Sequence, residues 1–473
     1  MNKTPIILWV RRDLRLADNP ALAHALMQNC PIIPVFIHDE LIEDLGAAPK
    51  WRFGLGVEVF AESLNAIGSK LILRRGKAVD VIKALVRETG ANEVVWSRAY
   101  DPAAIARDTD VKSNLKNIGV SANSFAGHLM FEPWTIKTKA GGFFKVYSPM
   151  WRAVKDTPVA ECIEAPDSIM APESWPASDD LVDWQMGAAM RGGTDIVGQY
   201  VCVGEADAEA RLLGFINSAV ERYRVNRDFP SIEATSRLSE NLTYGEIAPR
   251  RIWHTGQRAM AEGAAGAEHF CKELVWREFA YHLLYHTPHI LEQNWREEWN
   301  SFKWRGDSND AEAWRRGMTG EPMVDAAMRE LYVTGTMHNR LRMIVGSHLT
   351  KHLLTDWKIG LKWFENTLID WDPASNAMGW QWIAGCGPDA APYFRVFNPE
   401  TQGEKFDGEG RYRGIYLNGW KDQDGHSRTD DFFKAAPKRW NLSPTDPRPN
   451  RIVGLKEGRD RALAAYSDLK SSD

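Results

Sequence analysis

The chain has 473 residues, 44% of them hydrophobic, with 58 Lys plus Arg against 63 Asp plus Glu and a formal net charge of −5. That length predicts two or three domains, and the acidic balance argues against nucleic-acid binding by the whole surface while leaving room for a local basic groove. No apolar run of about 18 residues occurs, which argues against a membrane-spanning helix, and five scattered cysteines without a CxxC pair indicate neither a disulfide framework nor a metal site and fit a reducing, cytoplasmic setting.

In chain order, MNKTPIILWVRRDLR reads as a first strand rather than a signal peptide, because its short apolar run meets Arg at once. Strands are expected at 5–10, 31–37, 70–73 and 93–96, and helices at 56–67, 79–88 and 103–117. This alternation predicts a doubly wound parallel sheet, whose ligands bind at the C-terminal ends of the strands. No GxGxxG follows the first strand, so a dinucleotide site there is weakly supported. Residues 130–200 are irregular, and the Pro-, Ser- and acid-rich stretch 160–180 reads as a linker. Helical patterns dominate from Ala206 to about Trp382; the rest is loop-rich and closes with a helix at 455–469.

Tryptophan is over-represented, 20 against 12 Tyr. Most of these must serve a large core, but residues 368–407 set Asp370, Asp372, Asn376, Trp380 and Trp382 close together. Acids, an amide and indoles at that density suit a flat molecule with polar edges. In 223–239, Thr235, Ser236 and Ser239 flank Arg237, a set suited to a phosphate or to a helix cap. Glu273, Trp276 and Arg277 share one helix face by spacing; they suit either a base edge and its stacking surface or an ordinary amphipathic helix. MHNRLRM offers Asn339, Arg340, Arg342 and Met343, for a ligand or for a basic solvated face. The pairs His282/His286 and His348/His352 lack an HExxH pattern and read as core or surface histidines.

These segments together resemble the cryptochrome/photolyase flavoprotein family, through WVRRDLRLADNPAL, EATSRLS, ELVWREF, TGEPMVDAAMREL, TGTMHNRLRM, GWQW, DAAPYFR and FNPxTQGEKFD, over nearly the whole chain. MHNRLRM with GWQW and DAAPYFR looks most like the microbial cyclobutane-dimer photolyases of class I and class III. The resemblance implies a Rossmann-like α/β domain (1–130) that binds an antenna, a linker (131–203) and an all-α domain (204–473) that holds FAD. It implies light-driven repair of cyclobutane pyrimidine dimers in DNA by a monomer; a cryptochrome-type photoreceptor is the alternative. A (6-4) photoproduct enzyme ranks lower, since that chemistry uses a histidine pair and His338 is followed by Asn339.

By resemblance, Tyr223, Thr235, Ser236, Arg237, Leu238 and Ser239 match FAD phosphate-binding positions. Asp370 and Asp372 match flavin-contacting acids, with Arg342 paired to Asp370; Asn376 matches the residue facing flavin N5, and Phe270 replaces a flavin-contacting Trp. Trp380, Trp357 and Trp304 match an electron-carrying chain. Glu273, Trp276, Asn339, Met343 and Trp382 match the pocket for the flipped dimer, with Glu273 expected buried and protonated. Arg227, Arg277, Arg340 and Arg395 match lesion or backbone contacts. Ala103 and Ala104 stand where some relatives carry an Asn–Glu pair for folate. Methenyltetrahydrofolate is the expected antenna, a deazaflavin the second choice, with Trp51, Arg52 and Asp101 as candidate contacts. The stretch 411–441 departs from the family pattern.

Overall fold

The computed structural model describes residues 4–389, 393, 395–417 and 427–471. Part of DAAPYFR and part of 411–441 therefore lie outside the described residues.

Five strands, β1 (Ile6–Val10), β2 (Ile32–His38), β3 (Ile72–Arg75), β4 (Glu93–Ser97) and β5 (Ser121–Phe125), form one parallel sheet in the order β3-β2-β1-β4-β5. The central strands read as unbroken apolar runs because helices cover both faces. Along β1, Ile6, Leu8 and Val10 enter one core, and Ile7 and Trp9 the other. The crossovers carry α1 (Pro20–Met27), α2 (Ala47–Ala66), α3 (Ala78–Thr89) and α4 (Pro102–Asn117).

Two expectations need correction. The sequence SANSF of β5 has no apolar run, and the strand exists because it pairs at the edge with β4, Asn123 opposite Val95. Helix α2 begins at Ala47 rather than 56. Its Gly54 and Gly56 look like breakers but are close-approach positions: a Cβ at Gly56 would meet Leu14 at 2.8 Å, and one at Gly54 would meet Met186 at 3.3 Å.

The remainder is helical. The elements that build the site are α5 (Ala267–His286), α6 (Pro322–Thr334), α7 (Asn339–Ser347), α8 (Trp357–Thr367) and α9 (Pro373–Ala384), with α10 (Leu455–Ser471) closing the fold. Helices α6 to α10 share a core that contains Trp314, Trp357 and Trp380, and α5 packs in neighbouring clusters. His282 and His348 are buried in the core. A Cβ on Gly360 of α8 would come within 2.1 Å of the Trp380 ring, so the bare backbone there seats the indole. Gly360→Ala gains helix propensity of about 1 kcal/mol, but overpacking typically costs about 1–3 kcal/mol. We expect a lower melting temperature and altered Trp380 fluorescence; an unchanged or raised melting temperature contradicts this seating.

Candidate functional site

Helix α9 starts at Asp372, whose carboxylate caps it by accepting from Ser375 N at 2.8 Å, and Pro373 occupies the first turn. The other carboxylate oxygen accepts from the Tyr281 hydroxyl of α5. Asp372 was expected to contact a flavin; here both its oxygens serve the protein. Two residues earlier, buried Asp370 takes both oxygens to Arg342 of α7, at 2.8 and 3.0 Å, and accepts from Ser239 Oγ at 2.7 Å. Both contacts come from Arg342 Nη2, while Arg342 Nε donates to the Met337 carbonyl at 2.8 Å, so the guanidinium is held from two sides by charge-assisted and backbone bonds. This knot pins 235–239 to the segment before α9. Tyr223 and Leu238 are buried, whereas Thr235 and Ser236 are partly open and Arg237 is exposed. Arg237 has φ +54°, a left-handed conformation that costs a non-Gly residue energy and recurs at ligand sites.

Asn376 lies one turn into α9 and donates Nδ2 to the Leu361 carbonyl at 3.1 Å. Trp380 follows on the same helix, against Gly360 and 5.0 Å from the Phe364 ring. Trp357 and Gly360 are three residues apart on α8, so Trp357 shares the face that seats Trp380. Trp357 is fully buried and donates its indole N–H to Asn294 at 2.9 Å. Trp304 packs against the edge of the same core, with Phe302 at 4.3 Å. All three indoles thus belong to one core, Trp380 and Trp357 buried within it and Trp304 partly exposed at its edge.

The residues expected around a lesion divide among several contacts. Glu273 is held by Arg227, and its side chain is 31% exposed, so the burial on which a protonated Glu273 rested is absent. Arg340 pairs with Asp228 at 2.9 Å, lies 4.6 Å over Phe406, and approaches Met343 sulfur at 3.9 Å. Asn339 and Arg395 are exposed, and Trp382 is half-buried against the core. Phe270 is not an open surface: it is buried with Phe215 and Tyr223 at 4.7 and 6.0 Å. Arg277 is the clearest correction. Its guanidinium turns inward to the His128 carbonyl at 2.9 Å and the His128 ring at 2.9 Å, away from the Glu273 side. Spacing placed Arg277 beside Trp276; a buried carbonyl, invisible in sequence, captures it. His338 caps α7 through Nδ1, and burial pushes its imidazole down to about 4, so at neutral pH it is the uncharged imidazole and not the imidazolium acid.

A cavity of about 310 Å³ opens at the C-terminal ends of β1, β2 and β4, the place a doubly wound sheet offers to ligands. Its sheet side carries Arg11, Asp39 and Asp101; its helical side carries Tyr281, Trp371 and Asn376. Arg11 and Arg107 sit over Trp9, at 4.6 and 4.7 Å from its ring, and are tied down by Asp108 and Asp39 at 2.6 Å each. Ala103 and Ala104 line it and leave it room. Of the three antenna candidates only Asp101 lies here, where it also caps α4. Arg52 is buried in ion pairs with Glu240 (2.5 Å) and Glu246 (2.7 Å), and Trp51 packs with Val197 and Ile369. Tyr281, His128 and Trp371 were not singled out in the sequence. Tyr281 carried one usable signal, its position one turn after Arg277.

Two family models match the chain: "DNA photolyase" over residues 6–167 and "FAD binding domain of DNA photolyase" over residues 270–468. The chain is 43% identical to the deoxyribodipyrimidine photo-lyase of Agrobacterium fabrum, over 100% of this chain and 99% of that protein. The chain belongs to the DNA photolyase family. Within that family it is similar to a bacterial class III photolyase from Agrobacterium tumefaciens, whose crystal structure superposes with a TM-score of 0.91 at 41% identity, covering 100% of this chain and 98% of that one. Cryptochrome-2 of Arabidopsis thaliana is 34% identical over 86% of this chain and 69% of its own length. The photolyase fold thus accounts for both the parallel sheet and the helical FAD-binding part. Among the described residues no helix is long and apolar enough to cross a membrane.

Proposed function

We propose that the protein is a deoxyribodipyrimidine photo-lyase that uses FAD and light to reverse cyclobutane pyrimidine dimers in DNA. The observation that carries this reading is the knot of Arg342, Asp370 and Ser239 on one side, Asn376 on α9, and the indoles of Trp380, Trp357 and Trp304 gathered in one core. The donor set fits FAD: the hydroxyls of Thr235 and Ser236 for its phosphates, a carboxylate-held guanidinium and a neutral amide for its ring edge. FAD, when bound and reduced, supplies the light-excited electron donor.

The residues divide the remaining work. Thr235, Ser236 and Arg237 bind the phosphates, Ser239 is held to Asp370, and Asp370 orients Arg342. Asn376 presents an uncharged amide to the ring. Trp380, Trp357 and Trp304 relay electrons inward from the surface, a role suited to the readily oxidised indole. Trp276 and Trp382 provide flat faces for the pyrimidines, where stacking contributes about 1–3 kcal/mol per base; base flipping by photolyases is a general feature of such enzymes. Glu273, Asn339 and Met343 border that pocket. Arg227, Arg340 and Arg395 meet the lesion strand, which makes binding salt-dependent. Arg277 is left out of this set.

The same reading divides the chain into an antenna domain (1–130), a linker (131–203) and an FAD domain (204–473), acting as a monomer in the cytoplasm. The cavity at the strand ends suits a flat antenna chromophore in size, and methenyltetrahydrofolate is the assignment we favour. The absorption spectrum of the purified protein tests this: FAD bands with a near-ultraviolet folate band are expected, and a deazaflavin band or no second band contradicts the folate. Asp370→Asn leaves Arg342 without its counter-charge. It should weaken FAD retention by more than about tenfold, the change made by about 1.4 kcal/mol; equal FAD content after dialysis contradicts the role of the knot.

The cryptochrome-type reading has one observation in its favour, the identity to Cryptochrome-2. Equilibrium binding separates the two. A photo-lyase binds dimer-containing oligonucleotides more tightly than undamaged ones; equal affinity supports the photoreceptor.

A further inference from the structure

Tyr147 stands on the short helix Tyr147–Val154 and belongs to none of the motifs above. Its ring lies parallel to Trp276, with centroids 3.7 Å apart and planes 7° apart. Its hydroxyl donates to the Lys272 carbonyl at 2.7 Å, on α5 one turn before Trp276. Phe279 closes the cluster, edge-on to Tyr147 at 6.0 Å and to Trp276 at 5.8 Å. Tyr147 is buried, while Trp276 remains partly exposed. One face of the indole is therefore covered, its plane is fixed, and only the opposite face is open.

The segment leading to Tyr147 is laid along α5 as a strap. Phe143 stacks on His286 at 4.8 Å, and Phe144 N donates to His282 Nε2 at 3.0 Å. Between them and Tyr147, the Lys145 carbonyl accepts from Asp389 N at 3.0 Å, just beyond α9 and Trp382. The strap thus holds Tyr147 against Trp276 and also grips the chain that follows Trp382.

We propose that Tyr147 is a positioning residue for dimer recognition: it backs Trp276 so that the open face of the indole is presented to the pyrimidine at a fixed angle. This rests on the function proposed above. A flat, anchored ring restricts the rotamers of Trp276 before DNA arrives, so less freedom is lost on binding. The hydroxyl fixes the tyrosine along the helix axis, and the ring supplies the stack.

The test is dark equilibrium binding of a dimer-containing oligonucleotide, and of the same undamaged sequence, to the FAD-loaded parent, Tyr147→Leu, Tyr147→Phe and Trp276→Ala. Tyr147→Leu keeps apolar bulk without a flat face. It should lose about tenfold in dimer affinity, near the top of what an aromatic pair contributes. Its affinity for undamaged DNA, its flavin absorbance and its repair yield per flash at saturating substrate should stay at parent values. Tyr147→Phe keeps the stack and should remain within about twofold of the parent. Parent-like dimer affinity in Tyr147→Leu alongside a loss in Trp276→Ala overturns the inference. So does an equal loss in Tyr147→Phe and Tyr147→Leu, because the ring would then not be what positions the indole. A parent protein that does not distinguish dimer from undamaged DNA sinks the proposed function itself, a separate outcome.

Discussion

Trp357→Phe is expected to slow photoreduction of bound FAD by more than about tenfold, equivalent to about 1.4 kcal/mol on a barrier, while repair by chemically reduced protein is unchanged. Trp357 is fully buried on the face of α8 that seats Trp380, and the partly exposed Trp304 lies at the edge of the same core. Phenylalanine fills most of the volume but is much harder to oxidise, so the proposed path loses one of its three indoles. The substitution also removes the donor to Asn294 Oδ1. Leaving that buried oxygen unpaired costs about 1–3 kcal/mol, so thermal unfolding and FAD content are measured alongside. Photoreduction at the parent rate in a folded, FAD-loaded variant removes Trp357 from the path. Loss of repair in the pre-reduced variant contradicts a role confined to photoreduction.

Asn376→Asp should lower the reduction potential of bound FAD by on the order of 60 mV, a tenfold shift in a one-electron equilibrium. The amide donates Nδ2 to the Leu361 carbonyl at 3.1 Å, which fixes its orientation on α9. A carboxylate there loses that donor, faces the carbonyl oxygen with negative charge, and opposes electron gain by a nearby ring. Like charges about 4 Å apart cost about 1–4 kcal/mol between bulk water and a protein surface, so 60 mV is a conservative expectation. Potentiometric titration of the FAD-loaded variant reads the shift. An unchanged potential refutes the placement of Asn376 beside the flavin, and a raised one reverses its electrostatic role.

How much of this was legible in the sequence follows from how local each interaction is. β1 and β2 were legible because burial on both faces leaves an unbroken apolar run; β5 was not, because an edge strand can be as polar as SANSF. The pairing of Arg342 with Asp370 was named from the family resemblance, and Arg342 Nη2 does reach both Asp370 oxygens. Spacing put Glu273, Trp276 and Arg277 on one helix face, yet their partners lie far away in sequence: Arg227, Tyr147 and His128. Residue type could not reveal that Arg277 meets a backbone carbonyl from a distant loop, or that Arg52 is neutralised by Glu240 and Glu246 rather than facing a ligand. Asp372, an acid before a Pro-initiated helix, is also a cap: one of its oxygens accepts from Ser375 N and the other from the Tyr281 hydroxyl, which lies far away in sequence.

The most direct test of the central claim is restoration of thymines from an oligonucleotide carrying a single cyclobutane dimer, followed by chromatography, with FAD fully reduced before illumination. Blue light should regenerate the two thymines catalytically, and the dark control should yield none. A reduced, FAD-loaded protein that leaves the dimer intact under illumination contradicts the assignment.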